Sequence, residues 1–426
     1  MPWVIAIFLI LTAIGMPIAF GLGISGAVFF LLHPEMPFRI VFQLPVTQTQ
    51  NYALLAVPLF IFAGNLLNSC GITERLIELS KVLTGHMAGG LAQVSVVLST
   101  LMGGVSGSST ADAAMEARIL GPDMLRQGYS KGYTVSVIGF TSLITSTIPP
   151  GIGLIIYGTT GQVSIGRLFA AGLISGLVMM AVLMITVWLT SLYYGYKPLH
   201  QGRAPAGEIV GAAFKSIYAV IFPVLLLVGI RLGVFTPSEV GAFACVYSIF
   251  VGVAAYRELT WTAFVQALRQ TIGDLGGIMF LIAMTGVFGY GIPYERVPDA
   301  VTGFVTGLTA NKYVIIYIVV AFLFVAGMFI DGSACVLLFT PIFLPLIKTI
   351  GVDEVQFGLI LCTICTLGIM TPPVGVAMYI VCEILKCPIG EYVEKSWPFF
   401  AAVLMVLTIY TFWPGMVLFL PDLIFG

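Results

Sequence analysis

Apolar residues run through this chain in long blocks rather than alternating with polar ones. They fall at Trp3–Leu32, Tyr52–Leu67, Leu91–Gly104, Gly132–Gly158, Leu168–Tyr194, Ile217–Gly233, Ser238–Tyr256, Ile272–Ile292, Tyr313–Ile347, Phe357–Leu385 and Pro398–Phe425. Blocks of this length predict membrane-crossing helices, since a bilayer core about 30 Å thick needs roughly 20 helical residues. Several blocks exceed one pass. Tyr313–Ile347 would make a helix about 50 Å long at 1.5 Å per residue, and it is broken by GMFIDGSAC and then by Pro341 and Pro345. It predicts a span followed by a hairpin.

Composition agrees with this pattern. Of 426 residues, 59% are hydrophobic and 9% charged, against roughly 45–50% and about 25% in soluble domains. The apolar residues suffice for on the order of a dozen passes, which excludes a water-soluble protein. Eighteen Lys and Arg balance nineteen Asp and Glu, so no basic surface for nucleic acid is expected. The polar segments Asn68–Gly90, Glu116–Lys131, Lys197–Lys215, Arg257–Gln270, Tyr294–Asp299 and Lys348–Gln356 are each shorter than the roughly 50 residues of an independent domain. Any chemistry therefore lies in the transmembrane part. Lys197–Lys215 shows no strong periodicity and reads as a linker, its basic residues favouring a cytoplasmic side. Cys362 and Cys365 form a C-x-x-C inside an apolar run, where packing is expected rather than redox or zinc chemistry. His33, His86 and His200 are too dispersed for a metal site. The first apolar block lacks a basic leader region and reads as a retained helix.

An internal repeat carries the functional argument. Gly104, Pro122 and Pro149-Pro150 recur as Gly327, Pro345 and Pro372-Pro373, each 223 residues later. Glycine and proline weaken helices, and freed backbone groups at membrane depth survive only against protein or a watery cavity. The four breaks predict two re-entrant helical hairpins, near 91–121 and 327–347, and two unwound helices, near 132–158 and 357–385. Paired interrupted helices are the sequence mark of a secondary transporter's binding site. Close helix packing and ordinary proline kinks account for single breaks, but less well for four at matched spacing. Half-helix N-termini attract anions, while carbonyls and hydroxyls suit a hard cation such as sodium.

Within these breaks Asp331 is a costly intramembrane carboxylate, hence a site candidate, with an N-cap for the helix starting near Ser333 as the alternative. Asp112 lies four residues after Ser108, on one helix face; it is either a ligand or a residue favoured by the helix dipole. Glu116, Arg118 and Arg296 are expected at interfaces or in ion pairs.

At GGVSGSSTADAA (Gly103–Ala114), Pro122, Pro149-Pro150, GMFIDGSA (Gly327–Ala334) and GIMTPPVGVAMY (Gly368–Tyr379) the sequence resembles the large membrane subunit of tripartite ATP-independent periplasmic (TRAP) transporters, the DctM-like family. GMPIAFGLG (Gly15–Gly23) and VPLFIFAGNLL (Val57–Leu67) extend the likeness over nearly the whole chain. The resemblance implies an all-α polytopic protein with two inverted-topology repeats, each with a re-entrant hairpin and an unwound helix. About eleven spans plus two hairpins are expected, working as an elevator. Scaffold helices would occupy 1–50, the first repeat 51–196, a linker and scaffold helices 197–270, and the second repeat 271–426. It implies no enzyme activity and no organic cofactor, but sodium ions, two or more, as transported partners in a bacterial inner membrane. It implies a small four-helix membrane subunit, separate here although fused in some members, and a periplasmic substrate-binding protein that delivers an organic anion. Overall likeness leans to sialic acid (N-acetylneuraminate), among family substrates that include C4-dicarboxylates.

Carried over by motif, one sodium site would draw on Ser106, Gly107, Ser108, Ser109 and Asp112 with Thr145 and Thr147. A second would draw on Gly327, Asp331 and Ser333 with Thr366, Gly368, Met370 and Thr371. Substrate would lie between Ser108, Ser109, Asp331 and Gly332, beside Pro150 and Pro373. Asp331 repels an anion by roughly 4 kcal/mol at 4 Å and an effective dielectric of 20, so a cation must compensate it. A stand-alone sodium-coupled dicarboxylate or anion symporter is the nearest alternative. An intramembrane serine protease at Gly104-Val105-Ser106-Gly107 lacks a histidine base, and a channel would need a ring of ligands.

Overall fold

A computed structural model describes the whole chain, residues 1–426, and its regular structure is entirely helical. Glycine and proline set where the helices stop. The first apolar block divides into α1 (Pro2–Ala13) and α2 (Ile18–Leu32) around Gly15, whose φ of +87° suits glycine, and Pro17. The two pack on each other. α3 (Ile40–Thr49) and α4 (Ala56–Asn68) follow, bent by 56° across the break before Tyr52, and α5 (Ile72–Thr84) lies beyond. The first central group is α6 (Gly90–Gly103), α7 (Ser109–Ile119), α8 (Gly121–Arg126), α9 (Lys131–Thr147), α10 (Ile152–Gly161) and α11 (Ile165–Tyr194). Next come α12 (Ala206–Lys215), α13 (Ile217–Arg231), α14 (Pro237–Phe250), α15 (Trp261–Tyr294) and α16 (Val297–Leu308). The second central group is α17 (Lys312–Phe329), α18 (Gly332–Thr349), α19 (Glu354–Gly368), α20 (Val376–Leu385) and α21 (Ile389–Phe412), with α22 (Pro414–Phe425) closing the chain.

Three expectations change. Six helices are long and apolar enough to cross a membrane, or up to nine if each bent pair is one span, fewer than the expected eleven. Glycine and proline cut apolar blocks into helices such as α1 and α2 that are individually too short. Tyr313–Ile347 is not a span followed by a hairpin: it forms α17 and α18, joined at Ile330-Asp331, so the range 327–347 covers only the tip and one arm. The linker is not irregular throughout. α12 forms within it and packs on α5, with Lys215 Nζ 2.9 Å from Glu78 Oε1. Large apolar side chains such as Phe42, Ile272 and Trp261 stand mostly exposed, as on a lipid-facing surface.

Residues 223 positions apart take matching places. α7 starts at Ser109 and α18 at Gly332; α9 starts at Lys131 and α19 at Glu354. Their N-caps match too. Ser108 and Asp331 cap α7 and α18, and Ser130 and Asp353 cap α9 and α19. α9 is buried at every residue after Lys131, and α19 nearly so. Helices buried all round form the centre of a bundle, and these two pack on each other there. The broken segments cross over: α10 packs on α18, while α20 packs on α7.

Candidate functional site

The first hairpin turns between α6 and α7 through Gly104–Ser108. Gly107 holds φ +62°, and a Cβ there would lie 2.3 Å from the Pro150 carbonyl oxygen. Only glycine allows this approach. The Ile152 amide in turn donates to the Gly107 carbonyl at 3.4 Å, so the tip docks on the Pro149–Gly151 break. Pro149-Pro150 is cis, as is Pro372-Pro373.

Oxygen atoms collect beneath this tip. Thr145 Oγ1 lies 2.6 Å from Asp112 Oδ2 and 2.9 Å from the Ser99 carbonyl. Asp112 is 1% exposed, and its Oδ1 has no hydrogen-bond partner; Ser106 Oγ, also buried, has none. Buried polar atoms are nearly always paired, so the open oxygens of Ser106 and Asp112, close to the turn of one hairpin, are a sign of a ligand position. Ser109 is buried at the start of α7, while the Thr147 hydroxyl turns back onto the Leu143 carbonyl at 3.0 Å.

The second hairpin docks differently. A Cβ on Gly368 would lie 2.4 Å from the Gly327 carbonyl carbon, so the ends of α17 and α19 meet backbone to backbone. Gly332 faces Thr366 and Cys365 across ordinary contact distances. Asp331 Oδ1 accepts from the Ser333 amide at 2.9 Å, which is the capping geometry. Thr366 and Thr371 hydroxyls donate to the carbonyls of Cys362 and Leu367 at 2.8 and 3.0 Å. The Met370 carbonyl accepts from Tyr392 at 2.5 Å. Pro373 is exposed, whereas Pro150 is buried.

The structure thus brings Gly107, Asp112, Thr145 and Pro150 together in one half, and Gly327, Gly332, Thr366 and Gly368 in the other. No hydrogen bond or ion pair joins Ser108 to Asp331; the halves meet where α9 packs on α19 and α21, α10 on α18 and α20 on α7. A recess of about 440 Å³ is lined by Gly71, Glu74, Arg75, Glu78, Lys215 and Glu258, none of them in the segments around Gly104–Ser108, Pro149–Gly151, Ile330-Asp331 or Ile369–Gly375.

Sequence reasoning misplaced one residue. Glu116 sits neither at an interface nor in an ion pair but is fully buried, accepting from Ser95 at one oxygen and from Ser99 at 2.7 Å at the other. Ser95 Oγ also lies 2.9 Å from Thr141 Oγ1. A signal was present: Ser95 and Ser99, Asp112 and Glu116, and Thr141 and Thr145 are three polar pairs at i, i+4, the spacing of one helix face. Arg118 is exposed, and Arg296 takes φ 52° as the N-cap of α16.

Residues 5–416 match the family described as "Tripartite ATP-independent periplasmic transporter, DctM component". The chain is 31% identical over 406 residues to the 2,3-diketo-L-gulonate TRAP transporter large permease protein YiaN of Escherichia coli (strain K12), covering 95% of each chain. It is 30% identical over 412 residues to the sialic acid TRAP transporter large permease protein SiaM of Vibrio cholerae, covering 97% of this chain and 96% of that one. Among solved structures, the YdaH transporter of Alcanivorax borkumensis superposes with a TM-score of 0.64 over 88% of each chain at 14% identity, a likeness of fold.

Proposed function

We propose, from the premise that this chain belongs to the DctM-component family of tripartite ATP-independent periplasmic transporters, that it imports an organic carboxylate driven by a sodium gradient. The observation that carries the sodium reading is the open Asp112 Oδ1, buried with Thr145 beneath a docked hairpin tip. An uncompensated buried carboxylate is expensive, and sodium, a hard ion, prefers the carboxylate, hydroxyl and carbonyl oxygens found there. Ser106, Ser108 and Ser109 complete the first site. Gly327, Asp331 and Ser333, with the Thr366–Thr371 break, form the second.

The carboxylate substrate binds between the tips, at Ser108, Ser109, Asp331 and Gly332 beside Pro150 and Pro373. Helix N-termini at Ser109 and Gly332 offer amides to an anion. Sodium offsets Asp331, so that the hairpins close only when ion and anion are both present. The matched helix starts and the crossed packing of α10 on α18 and α20 on α7 support two inverted repeats forming one mobile unit, an elevator, within a bacterial inner membrane. A periplasmic binding protein delivers the substrate, and a small four-helix subunit completes the scaffold. Relatives named for 2,3-diketo-L-gulonate and for sialic acid stand at 31% and 30% identity, so the proposal is for an organic carboxylate, with sialic acid its narrower form.

Uptake into proteoliposomes tests this. It should require an inward sodium gradient, the small subunit and the cognate binding protein. Uptake without the binding protein would instead identify a stand-alone symporter.

A further inference from the structure

Glu116 has no part in the transport reading above, yet it is one of the most deeply buried charged residues in the chain. It stands one helical turn from Asp112 on α7, and both are at most 1% exposed. No Lys, Arg or His forms an ion pair with either. α6 carries no titratable side chain, and α9 carries Lys131 and Tyr133 at its first turn, about three turns from Thr145. α20 carries Tyr379, Cys382 and Glu383. On α8, Arg126 is engaged with Asp123, and Arg118 of α7 itself is exposed.

Hydroxyls surround the pair instead. Ser95 and Ser99 reach Glu116, Thr141 reaches Ser95, and Thr145 reaches Asp112. Three of the four carboxylate oxygens are thereby engaged, while Asp112 Oδ1 stays open.

The fold does not require this cluster. At the matched positions 223 residues on, Ser95, Ser99, Asp112, Glu116, Thr141 and Thr145 become Ile318, Phe322, Cys335, Phe339, Ile364 and Gly368. The equivalent helices α17, α18 and α19 pack on one another with no carboxylate and no hydroxyl at those six positions. A cluster that costs desolvation in one half and is dispensable in the other points to a ligand.

We propose that Glu116 and Asp112, with the hydroxyls of Ser95, Ser99, Thr141 and Thr145, form a binding site for one monovalent alkali cation, sodium foremost. It lies deeper than the position at Ser106–Ser109 and shares Asp112 and Thr145 with it. A small hard cation is suited to this all-oxygen set, and its single charge leaves the second carboxylate to balance the ion at the tip. Two carboxylates then match two cations in the first half. The proposal deepens the sodium reading and rests on it for any role in transport, but occupancy of the site does not depend on uptake.

Purified full-length protein, without substrate or partners, is titrated with sodium chloride against choline chloride at constant ionic strength. Thermal unfolding and binding of radioactive sodium are both followed. Sodium should raise the unfolding midpoint saturably. Glu116→Gln should bind one fewer sodium per chain and be more stable than the wild-type chain when sodium is absent. The same sodium count in Glu116→Gln overturns the proposal, as does stabilisation of the wild-type chain by acid rather than by sodium. Should Glu116→Gln fail to accumulate, Ser99→Ala, which keeps the charge, should weaken sodium binding at least tenfold; unchanged binding overturns the site equally. Sodium bound through Glu116 without sodium-driven uptake would defeat only the transport reading. Sodium-driven uptake with Glu116→Gln binding normally would defeat only this one.

Discussion

Replacing Gly368 by alanine puts a methyl group where the ends of α17 and α19 touch. The new Cβ would lie 2.4 Å from the Gly327 carbonyl carbon and 2.6 Å from its Cα and its oxygen. Carbon atoms rest at about 3.5–4.0 Å, so the shortfall is roughly 1 Å. All three obstructing atoms are backbone, and no side-chain rotation relieves them. The two helices must separate, an overpacking cost of about 1–3 kcal/mol. Gly327 lies one helical turn before Asp331, so the separation also carries the second hairpin tip out of place. Uptake per molecule should therefore fall further than stability does, by roughly tenfold or more, as misplacements of about 1 Å do at reaction centres. Thermal unfolding of purified protein and uptake normalised to reconstituted protein measure the two effects. Gly211→Ala in α12 is the control, because a Cβ there meets nothing within 4 Å; it should be neutral or stabilise by up to about 1 kcal/mol. A Gly368→Ala protein as stable and active as the Gly211→Ala control would refute the close approach.

Other expectations follow from the same geometry. Asp331→Asn keeps an N-cap side chain and should unfold near the wild-type temperature, whereas Asp331→Ala should lose about 1 kcal/mol; if both lose uptake alike, the charge is what transport needs, and near-normal uptake in Asp331→Asn removes it from the site. Thr145→Val deletes the hydroxyl at Asp112 and should raise the sodium concentration for half-maximal uptake by about tenfold, a loss of roughly 1.4 kcal/mol; an unchanged sodium dependence would show that this hydroxyl is only packing. Ser108→Ala should shift apparent sodium or substrate affinity, and a change confined to protein yield would reduce Ser108 to a helix cap. The Arg75 guanidinium beside Glu258 holds its carboxyl below the usual range. Because the folded value is lowered, this stabilisation is present at neutral pH and is lost as pH falls through that value. The pair is partly exposed, Glu258 more than Arg75, so Arg75→Gln should cost less than about 1 kcal/mol at pH 7 and still less in acid; an equal deficit at both pH values would assign the loss to the Arg75 stack on Tyr256 at 3.9 Å.

The helix breaks at 104–108, 148–151, 330–331 and 369–375 were legible because glycine and proline act locally: a residue that cannot continue a helix marks its own position whatever surrounds it. The matched pair Ser108 and Asp331 was legible for the same reason, since capping needs only the next few residues. Lengths were less legible. α17 reaches Phe329 unbroken, because its apolar residues carry no signal of where a span ends and a hairpin arm begins. α12 was missed because its short amphipathic stretch is stabilised by packing on α5, a contact distant in sequence.

Glu116 was the instructive failure. An acidic residue beside an arginine, in a segment counted as polar, suggests a solvated end of a helix, and nothing within α7 contradicts that. The contradiction lies in α6 and α9, whose serines and threonines at the same i, i+4 spacing supply the partners. Each hydroxyl alone can be satisfied by its own helix carbonyls and is therefore uninformative. Only the comparison of halves makes them informative together. Where α17, α18 and α19 place isoleucine, phenylalanine, cysteine and glycine at the matched positions, the equivalent helices still pack on one another with no carboxylate or hydroxyl at those positions, so the polar version in α6, α7 and α9 is not needed to build the bundle. The matched spacing acts as an internal control: what both stretches share, the glycines, prolines and caps, shapes the backbone, and what only one has, the Asp112 and Glu116 carboxylates with their hydroxyls, is what the proposed cation site rests on.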